Sequence, residues 1–210
     1  MQVISHRGYW KTPAERNQRV AFERSFDNNM GTETDLRDIC GKIVISHDMP
    51  KGSEITFEEV LQIMDGRNLP LALNIKADGQ IDEILRLLNK YGHTNYFTFD
   101  MSIPDMIVQA DKGASFYTGF SDILTVPVLF DEAAGVWLDS FNGQWWTAET
   151  VDDLIAHGKS VCIVSEDLHK RDSVKQWREI KRCRNYFSDN LILCTDKPQE
   201  ACSFFSEDLP

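Results

Sequence analysis

The 210-residue sequence contains no apolar run of about 18 residues, so no membrane-spanning helix is expected. Basic residues are also few, because 22 Lys and Arg are outnumbered by 33 Asp and Glu, which gives a formal net charge of −11. Nucleic acids and anionic membrane surfaces attract basic patches, and neither is expected as a partner. Low-complexity segments and internal repeats are missing too, which excludes repeat architectures.

Cysteine is present but in no arrangement that suggests disulfides. The five cysteines are odd in number, scattered, and mostly within apolar runs (Cys40, Cys162, Cys183, Cys194 and Cys202). This pattern indicates buried thiols in a reducing compartment rather than a disulfide framework. The first predicted strand begins within the first residues, so no signal peptide is expected and the predicted location is cytoplasmic.

What the sequence does contain is a pair of carboxylates, Glu33 and Asp35, two positions apart in a short β-rich stretch. Residues two apart in a strand point to the same face, so both carboxylates are expected to point in one direction. Paired carboxylate oxygens suit a hard cation such as Mg²⁺ or Ca²⁺. The spacing therefore indicates a divalent metal site.

Two histidines flank these carboxylates along the chain. His6 and the following Arg7 stand at the end of the first predicted strand, and a hairpin turn at 40–42 is expected to bring His47 back towards the carboxylates. Imidazole is suited to proton transfer near neutral pH. Together with the metal site, two imidazoles and a guanidinium are the groups needed to process a phosphodiester around a divalent cation.

Strands and helices are predicted to alternate along the whole chain. Eight strands with intervening helices and no long linker predict a (β/α)8 TIM barrel, an α/β fold, in one compact domain of residues 1–210. The predicted strands are Val3–Ser5, Thr32–Leu36 with a hairpin extension Lys42–Ser46, Leu71–Lys76, Tyr96–Phe99, Ser115–Tyr117, Val136–Ser140, Val161–Ser165 and Leu191–Thr195. The predicted helices are Arg16–Met30, Thr56–Met64, Ile81–Tyr91, Ile103–Asp111, Ala148–His157, Val174–Cys183 and Gln199–Phe205. Ser121–Ala134 contains Pro127 and is predicted to be a loop with at most one turn.

Several polar residues fall at or near the carboxyl ends of these strands. Barrel active sites lie at that rim, so side chains far apart in the sequence are expected to converge there. The residues concerned are His6, Glu33, Asp35, Asn74, Lys76 and Asp139. Lys76 is accordingly predicted to contact a phosphate.

Other polar and aromatic residues near predicted strand ends are ambiguous or solvated. Trp145 and Trp146 follow the sixth strand and are either a stacking platform for a substrate's glycerol or sugar or a hydrophobic lid. Glu166 and Asp167 are interpreted as a solvated acidic turn rather than a second metal site. Three further histidines are also expected to be solvated (His93, His157 and His169).

The motifs along the chain resemble those of the glycerophosphodiester phosphodiesterase family. They are His6-Arg7-Gly8, Glu15-Arg16-Asn17 with Ala21-Phe22, Glu33-Thr34-Asp35, His47-Asp48, and the weaker matches Leu73–Lys76 and Leu193–Pro198. The resemblance implies a TIM barrel that hydrolyses glycerophosphodiesters with a divalent metal, and the related sphingomyelinase D enzymes share the constellation. It also implies His6 as the general base and His47 as the general acid.

The sequence departs from the family pattern at Asn74, where the resemblance implies a third metal carboxylate. An amide oxygen still ligates but adds no charge, so weaker metal binding is expected. A water, Asp48 or Asp139 are alternatives for the missing ligand. The segment between His47 and Asn74 has room for one helix only, so the capping segment found in many relatives is expected to be small or missing.

Three functions follow from these residues. The first is metal-dependent hydrolysis of a small glycerol-containing phosphodiester to a phosphomonoester and an alcohol, with Arg7 and Lys76 neutralising the phosphoryl oxygens. The second keeps these groups but yields a cyclic phosphate, as a phosphodiester lyase. The third is a barrel that has lost turnover and binds a phosphodiester. The alcohol groups and the oligomeric state have no signal in the sequence.

Overall fold

A computed structural model describes residues 1–184 and 186–206. The chain divides into two compact units. The N-terminal unit is Ser5–Phe116, and the C-terminal unit combines Met1–Ile4 with the described residues from Tyr117 onward. The predicted site residues of the first four strands all belong to the N-terminal unit, whereas Asp139, Trp145 and Trp146 belong to the C-terminal unit.

The N-terminal unit is built on neighbouring strands in the order β5-β4-β2-β1. These strands are β1 (Gln2–His6, of which the last two residues lie in this unit), β2 (Gly31–Ile39), β4 (Leu71–Ile75) and β5 (Tyr96–Phe99). The short β3 (Lys42–Ile45) pairs antiparallel with β2 and forms the predicted hairpin. Strands β2 and β4 are parallel, and their register places Asp35 opposite Asn74.

Four α-helices follow the strands of this unit: α1 (Arg19–Asp27), α2 (Phe57–Met64), α3 (Ile81–Lys90) and α4 (Ile103–Asp111). Helix α1 is shorter than the predicted Arg16–Met30, because Asn17 and Asn29 adopt left-handed backbone conformations with φ of 57° and 56°. Helix α2 begins at a capping box in which Thr56 and Glu59 satisfy each other's backbone N–H groups. It is the single helix between β3 and β4, as predicted.

The C-terminal unit contains four parallel strands in the order β9-β8-β7-β6. They are β6 (Tyr117–Phe120), β7 (Gly135–Leu138), β8 (Ser160–Val164) and β9 (Leu191–Thr195). Helices α5 (Ala148–Ala156), α6 (Val174–Ile180) and α7 (Pro198–Ser206) pack their apolar faces on these strands in one hydrophobic cluster. Residues 121–134 form turns with no helix, as predicted from Pro127.

Along the described chain, eight parallel strands alternate with helices except between β6 and β7, where turns replace the helix; this is the element order of a (β/α)8 barrel with one helix missing. No helix in the described ranges is long and apolar enough to cross a membrane. None of the five cysteines, all in the described part of the chain, forms a disulfide, but Cys40 and Cys202 are exposed rather than buried as expected. The cytoplasmic location and the extent of the domain stay predictions.

Candidate active site

Strand β2 provides the two carboxylates on which the site is built. Glu33 and Asp35 are 2 % and 0 % exposed, so their charged forms have lost nearly all contact with water. Burial raises the pKa of Glu33 well above its ordinary range, and the charge of Asp35 adds to the rise, whereas the charges of Arg7 and Lys76 oppose it. A buried carboxylate pair of this kind needs cations nearby.

Two cationic side chains lie against Asp35. The Nε atom of Arg7 is 3.0 Å from Oδ2, and the Nζ atom of Lys76 is 3.5 Å from Oδ1. Arg7 directly follows β1, and Lys76 directly follows β4. Both sequence-predicted phosphate-binding residues therefore converge on one predicted metal ligand.

A third side chain holds Asp35 from a direction that the sequence did not predict. The amide of Asn17 donates to Asp35 Oδ2 at 2.8 Å, while its own oxygen accepts from the hydroxyl of Thr34 at 3.0 Å. The backbone N–H of Asn17 donates to the carbonyl of Arg7 at 2.9 Å. Asn17 thus fixes both the carboxylate and the residue that pairs with it, and its place in the Glu15-Arg16-Asn17 motif was the available signal.

Asn74 lies beside these carboxylates on the neighbouring strand. As the register partner of Asp35, its side chain projects from the same side of the sheet. Its amide nitrogen donates to Asp100 Oδ2 at 3.1 Å, which leaves the amide oxygen to point elsewhere. Asp100, which directly follows β5, is another residue that sequence reasoning missed, although a polar residue at a strand end was a usable signal.

Three buried oxygens of this group accept no hydrogen bond: Glu33 Oε2, Asp35 Oδ1 and Asn74 Oδ1. Buried polar atoms almost always have hydrogen bonds, so three buried oxygens without one on adjacent strands fit the ligand set of a cation, with the Lys76 ammonium 3.5 Å from Asp35 Oδ1. Two carboxylates and one amide are hard oxygen donors of the type that Mg²⁺ and Ca²⁺ prefer. Within residues 1–184 and 186–206, no group of three or more His, Cys, Asp or Glu residues could hold a metal; this set has two, plus the amide.

His6 stands at the end of β1 next to this group. Its Nε2 atom lies 3.8 Å from Glu33 Oε2, and its side chain is 15 % exposed. The backbone carbonyl of His6 accepts from the indole N–H of Trp10 at 3.1 Å, and the guanidinium of Arg16 stacks over the Trp10 ring. The first histidine is therefore held close to the predicted metal ligands.

His47 follows the β2–β3 hairpin, which returns the chain to Asp35, where the N–H of Ser46 donates to the Asp35 carbonyl at 3.0 Å. The His47 side chain is 49 % exposed, with Nδ1 2.9 Å from Asp48 Oδ1. The hydrogen bond from His47 lowers the pKa of Asp48, and the charge of Arg7 contributes to the same shift. His47 is thus a solvent-accessible imidazole oriented by a carboxylate, and it directly follows Ser46, whose N–H bonds to Asp35.

The predicted substrate-binding role of Trp146 is wrong. The side chain is 2 % exposed and belongs to the hydrophobic cluster of the C-terminal unit, so no ligand can stack on it. Trp145 packs edge-on against Phe120 at 4.7 Å and donates its indole N–H to the carbonyl of Asp139. Of the two predicted interpretations of this pair, the packed lid describes the structure.

The acidic turn after β8 is also not solvated, contrary to the prediction. Asp167 is 7 % exposed because it accepts hydrogen bonds from Ser165, Ser173 and Thr195, each within 2.8 Å. Glu166, equally buried, pairs with Arg171. These acidic residues are structural acceptors that fix the loop.

Asp139, predicted at the rim, likewise has its own partners within the C-terminal unit. Its Oδ1 accepts from the N–H of Ser140 at 2.6 Å and lies 2.7 Å from Nε2 of His169. His169 is therefore half-buried and paired rather than solvated.

A cavity of about 420 Å³ lies in the C-terminal unit beside the helix-free segment 121–134. Its walls include Phe120, Pro127, Phe130 and Leu154, with Asp153 and His157 at one side. None of the predicted site residues lines it. The cavity arises where a barrel helix is replaced by turns.

The protein has the (β/α)8 barrel fold, as predicted. A glycerophosphodiester phosphodiesterase from Agrobacterium tumefaciens has a similar structure, with a TM-score of 0.70 at 15 % identity, over 98 % of this chain and 99 % of that one. A phosphodiesterase from Oleispira antarctica, solved with its product sn-glycerol-3-phosphate, has a TM-score of 0.72 at 16 % identity, over 99 % and 97 %. The resemblance predicted from the sequence is thereby confirmed at the level of the fold.

A dihydropteroate synthase from Xanthomonas albilineans is also similar, with a TM-score of 0.50 at 10 % identity, over 100 % of this chain and 93 % of that one. No family model and no curated protein sequence matches the chain. Because one barrel supports unrelated activities, the function has to be argued from the site.

Proposed function

We propose that the protein is a divalent-metal-dependent phosphodiesterase that hydrolyses a small glycerol-containing phosphodiester to a phosphomonoester and an alcohol. One observation carries the proposal: Glu33, Asp35 and Asn74 each direct a buried oxygen without a hydrogen-bond partner towards the same side of adjacent strands. These are the three residues that the sequence predicted as metal ligands. The side chains of Arg7, Lys76 and His6 lie next to them.

The oxygens of Glu33, Asp35 and Asn74 would hold the metal ion, which supplies Lewis-acid polarisation of a phosphoryl oxygen when bound. Arg7 offers a planar fork of N–H donors to the remaining phosphoryl oxygens. Lys76 adds a point charge from the neighbouring strand. The Arg7 guanidinium and the Lys76 ammonium both lie next to Asp35, a proposed metal ligand. Negative charge that develops on the phosphoryl group is therefore stabilised by positive groups that are already in position.

His6 and His47 are assigned the proton transfers. His6 takes a proton from the attacking water, and its Nε2 lies 3.8 Å from Glu33 Oε2, which keeps the ring next to the proposed metal ligands. His47 gives a proton to the leaving alkoxide, with Asp48 holding its Nδ1 and leaving Nε2 for the transfer. The atoms balance: water adds across the P–O bond, and the alcohol leaves with the proton of His47.

The substrate class follows from the fold comparison and from the short segment after β3. The similar Oleispira antarctica enzyme is bound to sn-glycerol-3-phosphate, and we carry that product over to this chain as part of the proposal. A single helix, α2, occupies residues between His47 and Asn74, which favours an open rim. Such a rim accepts head groups of different sizes on the other side of the phosphate.

Phosphorus NMR of a reaction with sn-glycero-3-phosphoethanolamine tests this function. With Mg²⁺, Mn²⁺ or Ca²⁺ the wild type is expected to form sn-glycerol-3-phosphate, and a chelator is expected to stop the reaction. His6→Ala and His47→Ala are expected to lower kcat by at least about 100-fold, the usual range for general acid–base groups. His157→Ala, at an exposed histidine on the C-cap of α5, is the matched control and is expected to retain activity.

Two other outcomes would change the proposed function. A cyclic phosphate resonance would make the protein a phosphodiester lyase with the same residues. Binding of the diester without turnover, for all three ions and for further glycerophosphodiesters, would make it a phosphodiester-binding barrel and would contradict the proposed hydrolysis.

A further inference from the structure

The residue that makes the predicted cation site unusual, Asn74, is hydrogen-bonded to a carboxylate. Its Nδ2 donates to Oδ2 of Asp100 at 3.1 Å, and its Oδ1 is buried without a hydrogen-bond partner. The amide is therefore oriented by Asp100, with its nitrogen on the carboxylate and its oxygen left for the site. An amide that donates to a carboxylate is polarised so that its oxygen becomes more negative.

Asp100 is held at this place by the strand that carries it. In the parallel register Asn74 lies opposite Phe99, the last residue of β5, and Asp100 comes directly after it. Its backbone is left-handed with φ of 62°, a conformation that aspartate and asparagine tolerate better than most residues.

We propose that Asp100 supplies, through the Asn74 amide, the third negative charge of the divalent-cation site. Two negative charges then come directly from Glu33 and Asp35 on β2. The third comes from Asp100, after β5, and acts through the neutral Asn74 amide on β4, the strand between them. Asp100 is a positioning residue, since it acts on the cation through another side chain. This inference rests on the proposed function, because it assumes that the three unsatisfied oxygens hold a cation.

The two carboxylates named from the sequence as substitutes are less suited to this role. Asp48, which is exposed as Asp100 is, accepts its hydrogen bond from His47. Asp139 binds His169 and the backbone of Ser140 in the C-terminal unit. Neither has a contact with Asn74 among the described hydrogen bonds, whereas Asp100 does.

Titration of Mn²⁺, followed by the electron paramagnetic resonance signal of the free ion, measures cation affinity without requiring turnover. Asp100→Asn removes the charge but keeps the side-chain shape and the tolerance of a left-handed backbone. It is expected to raise the Mn²⁺ Kd about 10–100-fold, the range found for outer-sphere partners of metal ligands. Asp78→Asn is the matched control. Asp78 is also an exposed carboxylate, but it is hydrogen-bonded to Ser102, two residues beyond Asp100, and not to Asn74. The Mn²⁺ Kd of this variant is expected to stay within about twofold of the wild-type value.

A charge-swapped variant separates this role from a purely structural one. Asn74→Asp combined with Asp100→Asn moves the negative charge onto the ligand itself, and the Kd is expected to return to near the wild-type value. Thermal unfolding midpoints of all variants show whether each is folded. An Asp100→Asn protein with wild-type affinity would overturn the inference and leave the proposed function intact. A double variant as weak as Asp100→Asn would also overturn it. A folded wild type that binds no Mn²⁺ would overturn both the inference and the metal dependence of the proposed function.

Discussion

The Nε atom of Arg7 lies 3.0 Å from Oδ2 of Asp35, and Arg7 reaches it from a left-handed backbone with φ of 60°. Arginine is disfavoured in this conformation by roughly 1–2 kcal/mol, so the fold holds it there against its own preference. The hydrogen bonds of the Arg7 backbone to Glu33 and Asn17 supply the restraint. Strain of this kind, beside a buried carboxylate, supports the proposed phosphate-binding role of Arg7.

Arg7→Gly is expected to lower both stability and activity. Glycine relieves left-handed strain of about 1–2 kcal/mol, but removing the guanidinium from the buried Asp35 costs about 3–5 kcal/mol, so the free energy of unfolding is expected to fall by about 1–4 kcal/mol. The value of kcat/KM for the phosphodiester is expected to fall about 100–1000-fold, as when a transition-state donor is removed. Denaturant titration and steady-state kinetics measure the two quantities.

Asp65→Gly provides the comparison for Arg7→Gly. Asp65 is an exposed residue with φ of 50° at the end of α2, so the same backbone relief occurs away from the site. It is expected to keep full activity. Equal loss of activity in both variants would contradict the role of Arg7.

Gly8→Ala is expected to unfold or strongly destabilise the N-terminal unit. Gly8 has φ of 80°, and an added Cβ would lie 2.6 Å from Cβ and 2.8 Å from the backbone carbon of Ala21. Backbone atoms of helix α1 cannot move away without shifting Arg7. The midpoint of thermal unfolding is the readout.

Gly66→Ala isolates the backbone contribution to this effect. Its φ is 69°, but an added Cβ meets nothing within 4 Å. The left-handed conformation alone is expected to cost about 1–2 kcal/mol. Equal losses in the free energy of unfolding for Gly8→Ala and Gly66→Ala would show that the close packing of Gly8 on Ala21 does not contribute to stability.

The raised pKa of Glu33 predicts a pH-dependent stability. The folded state keeps a proton that the unfolded state releases at its ordinary pKa of 4.5, so Glu33 makes the protein less stable as pH rises from there through the folded pKa. The Glu33→Gln side chain does not titrate, so the variant does not lose stability in this way. The thermal unfolding midpoint of the variant is therefore expected to rise relative to that of the wild type as pH increases over this window.

Glu132→Gln, at an exposed glutamate, is expected to show no such trend. Adding Mg²⁺ is expected to stabilise the wild type more at pH 8 than at pH 5, since the cation binds the deprotonated carboxylates. A constant difference between Glu33→Gln and wild type across pH would contradict the raised pKa of the buried Glu33.

Trp146→Ala tests the corrected role of that residue. Because the side chain is buried in the cluster of the C-terminal unit, its removal is expected to destabilise the protein by about 3–5 kcal/mol. The KM of the folded fraction is expected to stay unchanged at a temperature well below the unfolding midpoint. A raised KM with unchanged stability would restore the predicted substrate contact.

Strongly patterned elements were predictable from the sequence. Tyr96–Phe99, Ile103–Asp111 and Leu191–Thr195 have the bounds predicted for them, because each is a periodic or continuous apolar segment between polar residues. Helix α1 was predicted too long, since the left-handed conformations of Asn17 and Asn29 depend on the contacts that each makes in the fold. A propensity summed along the chain does not contain those contacts.

The site residues were predictable where residue type and spacing were enough, and not where the role of a residue depends on its hydrogen-bond partners in the fold. The spacing of Glu33 and Asp35 on one strand predicts a pair of carboxylates, whereas the hydrogen bond from Asn74 to Asp100 depends on the register of β4 and β5. The buried state of Asp167 likewise depends on three hydroxyl groups, one of them on a different strand. Acidic residues near a strand end look alike in sequence, and tertiary partners determine which of them are solvated.

The most direct test of the proposed cation site is anomalous diffraction from crystals of the protein grown with Mn²⁺. We expect one anomalous peak within about 2.0–2.6 Å of oxygens from Glu33, Asp35 and Asn74, the range of hard-cation–oxygen distances. Loss of that peak in Glu33→Gln crystals is expected as well. A wild-type crystal with bound Mn²⁺ only elsewhere, or with none, would contradict the account.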